Sequence, residues 1–213
     1  MKISWLGHAC FYIELESKIK ILTDPYEPRA YSGAIRYLPI EVEADIVTVS
    51  HHHADHDYVE AVPKAKIVDS EGTFNIIDVV IEGFLSYHDK VKGSQRGKNI
   101  IFLITAESLK LVHFGDLGTP DLDYNKLKDI DVAIMPVGGV FTIDYKEASA
   151  IVERIKPKIV VPMHFKTSKL DFDIDGVDKF LSGKKGVERA KYINVTKENL
   201  PSSTKIFILD HLR

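Results

Sequence analysis

The chain has 213 residues, 45% hydrophobic and 28% charged, with Lys+Arg 28 against Asp+Glu 31 for a formal net charge of −3. This composition excludes a disordered, collagen-like or coiled-coil protein, and the length suits one domain, read as residues 1–213. The slightly acidic balance gives no general attraction for nucleic acid or anionic membranes, so the expected partner is a small-molecule substrate.

From the N-terminus, three short strands are expected at residues 2–6, 10–16 and 18–23, broken at Gly7 and Ser17. Cys10 is the single cysteine and leaves no intrachain disulfide; residues 1–14 lack a signal-peptide pattern, and no apolar segment is long enough to span a bilayer. The expected compartment is therefore the cytoplasm. An apolar run at 45–50 leads into His51, and a helix is expected at 56–62. A strand-rich block runs from about Phe84 to Phe114, with a hairpin of 99–105 and 108–114 around Ala106-Glu107. A helix is expected at 120–128, and an apolar run at 131–137. Asp144-Tyr145-Lys146-Glu147 is a capping-box start, and Ala148, Ile151, Val152 and Ile155 form a helical stripe that Pro157 stops. A last apolar run, 158–163, precedes His164, and a helix is expected at 175–181.

Four of five apolar runs end at an acid or a histidine: Asp24, His51, Asp116 and His164. Short continuous apolar runs suit strands buried on both faces, and ligands in such sheets collect beyond strand ends. The order of elements fits an α/β protein with a sheet-on-sheet core and helices outside, although the pattern alone also admits other α/β layouts.

The chemistry concentrates in Ser50-His51-His52-His53-Ala54-Asp55-His56, where five of seven residues can bind metal. Imidazole and carboxylate at this density suit a borderline-soft divalent ion such as Zn²⁺, with Mn, Fe, Co or Ni as competitors. In an extended turn His51 and His53 point to one side, while Asp55 and His56 reach a second ion nearby. His52 faces away and is expected to pack beside the site.

This segment resembles the His-x-His-x-Asp-His signature of the metallo-β-lactamase superfamily. Thr23-Asp24, Ser86-Tyr87-His88, Phe114-Gly115-Asp116 and Pro162-Met163-His164 fall in that family's order, so the resemblance covers about the whole chain. Trp5-Leu6-Gly7-His8 with Thr23-Asp24-Pro25 is similar to a small-hydrolase branch containing ascorbate-6-phosphate lactonase-like members. The resemblance implies the αβ/βα four-layer sandwich, two mixed β-sheets face to face with helices outside. It also implies two divalent metal ions, with zinc the expected metal, and a bridging hydroxide as nucleophile. Carried over residue by residue, His51, His53 and His88 hold the first ion, Asp55, His56 and His164 the second, and Asp116 bridges. Asp24 then orients a ligand histidine, and His8 lies near the metals and donates to a substrate oxygen or leaving group. Relatives in the branch associate, which is compatible with a homo-oligomer.

His88 has a rival in His113, three residues before Asp116. Strand alternation puts His113 with Leu109 and Leu111, which favours a buried histidine beside the site or a substrate contact, and His88 as the ligand. Arg96 and Lys98 follow His88 in a polar loop; they are placed where they could approach an anionic substrate, although the ordinary reading of such a loop is solvated charge. Tyr26, Tyr31 and Arg36 fall where a segment could roof the site, and the backbone of Gly138–Thr142 is placed to pass close to the metals.

The leading function is a metal-dependent hydrolase of a small intracellular ester, lactone, amide or phosphodiester. Catalysis is assigned to Asp55, His8 and Asp116. The nuclease branches are disfavoured by the non-basic chain, a β-lactamase by the absent export pattern, and a glyoxalase II-type thioesterase by the short tail after His164. The alternatives are a non-haem iron oxidoreductase on the same fold and a non-catalytic metal-binding protein.

Overall fold

The computed structural model describes residues 1–213 and contains two mixed β-sheets. In chain order the first gathers β1 (Lys2–Gly7), β2 (Cys10–Glu14), β3 (Lys20–Thr23), β4 (Ile46–Thr48) and β5 (Lys66–Val68). The second takes β6 (Gly72–Ile76), β7 (Val79–Tyr87), β8 (Lys98–Ala106), β9 (Leu109–His113), β10 (Val132–Pro136) and β11 (Ile159–Met163). Of the last three strands, β12 (Val187–Ala190) and β14 (Lys205–Leu209) join the second sheet and β13 (Tyr192–Asn194) the first. The orders are β13-β1-β2-β3-β4-β5 and β12-β14-β11-β10-β9-β8-β7-β6. Each sheet opens as an antiparallel meander and continues with parallel strands.

Strand alternation explains why the apolar runs are unbroken. Ile21 and Ile46 point into a core of 46 residues shared by both sheets, where Trp5, Phe11 and Ile13 meet Phe102, Ile104 and Leu111. Their neighbours Leu22 and Val47 point the other way, into a second cluster of 14 residues closed by Tyr26, Tyr37, Ile40 and Val62. With both faces covered, every position in β4, β10 and β11 is buried. Full burial of each such aliphatic side chain contributes about 1.5–3 kcal/mol.

The expected sandwich is therefore present, with thinner outer layers than the family pattern implied. The one long helix, Tyr145–Ile155, begins at the capping box of Asp144 and Glu147, ends at left-handed Lys156 before Pro157, and buries Ala148 and Ile151. Over the six-stranded sheet the outer layer is mostly irregular chain. The helices expected at 56–62 and 120–128 reduce to single 3₁₀ turns, Val59–Ala61 and Tyr124–Lys126, and that at 175–181 to Asp178–Leu181. Local side-chain bonding outcompetes the helix in one case: the Asp123 carboxylate accepts from the Asn125 N–H. In another, the N–H groups of His56 and Asp57 turn back onto the carbonyl of His53, which aims the His56 side chain at the strand ends.

The hairpin of β8 and β9 turns at Glu107 and Ser108, one residue later than expected, with φ of 53° and 60°. This pair of left-handed residues matches the right-handed twist of the flanking strands. Strands β5, β6, β12 and β13 have no apolar run to announce them, because all four are largely exposed edge strands; β14 carries the run Ile206–Leu209 and is an additional inner strand of the second sheet. No helix is long and apolar enough to cross a membrane.

Candidate metal centre

The site lies where strands of both sheets end. His8 follows β1, Asp24 follows β3, the histidine-rich turn follows β4, His88 follows β7, Asp116 follows β9, Gly138 follows β10 and His164 follows β11. Within each sheet these strands run the same way, so their carboxyl ends converge.

Asp24, fully buried, wires the histidine turn. Its Oδ1 accepts from the Ser50 N–H at 2.8 Å, and its Oδ2 from Ser50 Oγ at 2.6 Å and His56 Nδ1 at 2.9 Å. With the Ser50 proton given to Asp24, His51 Nδ1 donates to Ser50 Oγ at 3.0 Å. Both rings are thereby held in the tautomer that leaves Nε2 with a free lone pair, the second-sphere arrangement common behind metal-binding imidazoles. Neither Nε2 has a hydrogen-bond partner.

Asp116 is the hub. Its Oδ1 lies 3.2 Å from His56 Nε2, and its Oδ2 lies 3.3 Å from both His88 Nε2 and His164 Nε2 and 3.9 Å from His51 Nε2. Asn99 holds it there: Asn99 Oδ1 accepts from the Asp116 N–H at 2.8 Å, while Asn99 Nδ2 donates to Ser86 Oγ and to the Phe114 carbonyl. Gly115, at φ 54°, passes so close to Asn99 and Ser50 that a Cβ would collide with both. On the other side Asp55 Oδ2 pairs with His8 Nε2 at 3.0 Å and lies 3.6 Å from His56 Nε2, while Asp55 Oδ1 accepts from the Tyr31 hydroxyl at 3.0 Å.

Three donor groups result, each with ligand atoms within 4.8 Å of one another: His51, His53 and His88; His8, Asp55, His56 and His164; and His51, His56 and Asp116. His51, His56 and Asp116 are buried, yet His51 Nε2, His56 Nε2 and Asp116 Oδ1 are unpaired in a protein interior, where such groups are costly. Convergent, unsatisfied imidazole and carboxylate atoms fit divalent metal.

Burial lowers His51 to about 3, helped by His56 and opposed by Asp116, and lowers His8 to about 4, helped by His164 and opposed by Asp55. His88 and His113 are lowered too, again chiefly by burial. Burial would also lower His56, but Asp116 and Asp55 overcome it and push the ring well above its ordinary value. Burial would raise the three carboxyls, and nearby imidazoles overcome it: His56 and His8 hold Asp55 below the usual carboxylate range, His164 and His56 hold Asp116, and the His56 hydrogen bond and His113 hold Asp24. The raised His56 marks an excess of negative charge that a cation would neutralise.

The other candidates separate. Both nitrogens of His113 are taken by backbone, Nδ1 accepting from the Gly115 N–H and Nε2 donating to the Ala9 carbonyl, so it sits fully buried beneath the site and outside the cavity lining. His88 has an unpaired Nδ1 and its Nε2 beside Asp116. His52 does face away, but it packs against nothing: its ring is exposed, 3.5 Å from Asp57. His8 is 1% exposed, behind Asp55 and His164, and does not line the cavity. The contact the structure gives it is with Asp55 Oδ2, at 3.0 Å from Nε2.

A cavity of about 370 Å³ opens above Asp116. His53, Asp55, His88 and His164 complete its floor; Tyr31, Phe141, Phe172 and Arg96 form its walls. Of the segment expected to roof the site, only Tyr31 does so; Tyr26 is buried with its hydroxyl on the Leu38 carbonyl, and Arg36 pairs with Asp171. Phe172 and Asn99 escaped sequence reasoning. Asn99 reads there as an unremarkable strand residue, and Phe172 lies in an irregular segment brought in by the pairing of Ile35 with Leu170.

A family model described as a beta-lactamase superfamily domain matches residues 2–164. A UPF0173 metal-dependent hydrolase from Thermococcus kodakarensis is 33% identical over 195 residues, covering 78% of this chain and 85% of its own. The crystal structure of a candidate Zn-dependent hydrolase of the metallo-beta-lactamase superfamily from Thermotoga maritima superposes with a TM-score of 0.79 at 34% identity, covering 98% of this chain and 97% of that one. CmlA, a diiron beta-hydroxylase from Streptomyces venezuelae, shares the fold at 13% identity and a TM-score of 0.53, over 76% of this chain and 44% of that one.

Proposed function

The chain belongs to the beta-lactamase superfamily and is a metal-dependent hydrolase; from that premise we propose that it works through two divalent ions, zinc first, on a small ester, lactone, amide or phosphodiester. The carrying observation is Asp116, whose two oxygens face histidines of two separate donor groups. His51, His53 and His88 would hold one ion, Asp55, His56 and His164 the other, with Asp116 shared between them. When bound, the ions would supply a water nucleophile at neutral pH and polarise the bond to be cleaved.

The remaining work falls to the protein. Asp24 keeps the His56 proton on Nδ1, and through Ser50 does the same for His51. His8 and Tyr31 hold the two oxygens of Asp55. The aromatic walls exclude water from one side of the substrate. We assign the work to one domain, and the lone buried Cys10 supports a cytoplasmic setting.

Metal content per chain by elemental analysis, paired with hydrolysis of a lactone, a p-nitrophenyl ester and bis-p-nitrophenyl phosphate, tests the reading. The expected result is close to two transition metals and turnover that a chelator abolishes. A single iron would favour an oxidative enzyme, and full loading without turnover on any class would favour a non-catalytic protein; either overturns it.

A further inference from the structure

The loop after His88 is a built element. The Asp89 carboxylate, 3% exposed, accepts from the backbone N–H groups of Val91, Gly93, Gln95 and Arg96 at 2.8–2.9 Å. The Gly97 N–H donates to the Gly93 carbonyl, and the His88 N–H to the Gly97 carbonyl, so the loop is locked to the site. Its product is the placement of Arg96 between the cavity and the adjoining groove that Lys98 lines, half-buried, with the guanidinium 5.5 Å from the centre of the Phe141 ring.

No carboxylate of the chain forms an ion pair with Arg96, and its side chain makes no hydrogen bond. Arg36 and Arg213 are paired with Asp171 and Glu41, and of the arginines without an ion pair only Arg96 lines the cavity. A guanidinium offers a planar fork of donors suited to carboxylate or phosphate. Beside a centre that gathers divalent cations, an uncompensated arginine opposes the bound charge unless the ligand between them is an anion. Phe141 and Phe172, with ring centres 5.6 Å apart, provide an apolar surface between the arginine and the floor.

We propose that Arg96 binds an anionic oxygen group of the substrate, a carboxylate or a phosphate, and that the substrate is a small anion whose flat apolar part lies against Phe141 and Phe172 with its cleavable bond above Asp116. This rests on the hydrolytic reading of the same site. The charged group is the specificity determinant, remote from the bond that breaks.

The test uses the metal-loaded protein and three acetyl esters sharing one scissile bond: phenyl acetate, 4-acetoxybenzoate and 4-acetoxyphenyl phosphate. The wild type is expected to prefer one of the anions, and Arg96→Gln to reduce the charged-to-neutral ratio of kcat/KM by about tenfold or more, chiefly through KM. Arg96→Lys regains part of the ratio. Lys98→Gln, which alters an exposed cation in the neighbouring groove, leaves the ratio in place. The carboxylate and phosphate arms identify which anion the site takes.

A ratio unmoved by Arg96→Gln, or equal losses on charged and neutral esters, overturns the proposal. Calorimetric binding of benzoate, phenyl phosphate and neutral benzamide to the same proteins gives a readout independent of turnover. Anion binding weakened by Arg96→Gln without hydrolysis of any ester would keep this subsite and remove esters from the proposed substrates. Hydrolysis with no dependence on Arg96 in either assay would do the reverse.

Discussion

Asp24 and His56, thirty-two residues apart in sequence, are joined by a 2.9 Å hydrogen bond in which His56 Nδ1 donates to Asp24 Oδ2. That bond sets the tautomer of an imidazole whose other nitrogen faces Asp116. Asp24→Asn keeps the shape but removes the charge that accepts three protons. The expected result is a 10–100-fold loss of affinity for the ion assigned to His56 in the proposed function, read by chelator competition, with near-native far-UV circular dichroism. Unchanged affinity would separate Asp24 from the metal centre.

His8 places its Nε2 3.0 Å from Asp55 Oδ2 and is not among the residues that line the cavity. His8→Ala is therefore expected to weaken one of the two proposed ions by about tenfold and to leave the other in place, in a two-phase chelator titration. Full retention of both ions with loss of rate alone would return His8 to a role in proton transfer.

Tyr31 reaches Asp55 Oδ1 from a turn in which Tyr31 and Ser32 have φ of 51° and 57°, a left-handed conformation that costs about 1–2 kcal/mol per residue. Holding the hydroxyl over the site is the compensation this geometry suggests. Tyr31→Phe should lower kcat/KM by about tenfold with metal content intact; loss of metal instead would make the tyrosine part of the binding shell.

Gly138 passes against the carbonyl of His164, and a Cβ there would run into that backbone oxygen. Backbone cannot swing aside as a side chain does, so Gly138→Ala should destabilise the fold by about 1–3 kcal/mol and displace His164. Thermal unfolding and metal content read the two effects separately.

Asp89 is lowered from an ordinary 3.8 to about 2; burial opposes this, and four backbone N–H groups outweigh it. A depressed carboxyl stabilises above its unfolded value and loses that contribution as pH falls toward the folded one. Amide protection at Val91, Gly93, Gln95 and Arg96 is expected to drop between pH 3.8 and about 2, and to be low at all pH in Asp89→Ala. Equal protection in wild type and variant at pH 7 would show that the loop is held by other bonds.

Strand positions and the histidine turn were readable because their signals are local. A strand buried on both faces must be apolar at every residue, as in β4, β10 and β11. The capping box at Asp144 is likewise written in four consecutive residues. The short helices were overestimated because turns such as Asp123–Asn125 are decided by one side-chain bond. Exposed edge strands carry no such pattern.

The residue types of the metal centre and their order at strand ends were determined by the sequence alone, since only histidine and carboxylate at that density suit divalent metal. Which nitrogen of each ring is free, that His113 is spent on Ala9 and Gly115, that Arg96 borders the cavity without an ion-pair partner, and that Asn99 holds Asp116 were decided by tertiary structure. Each depends on hydrogen bonds between residues distant in the chain, and the local pattern of a sequence does not say which donor will meet which acceptor once two sheets close on each other.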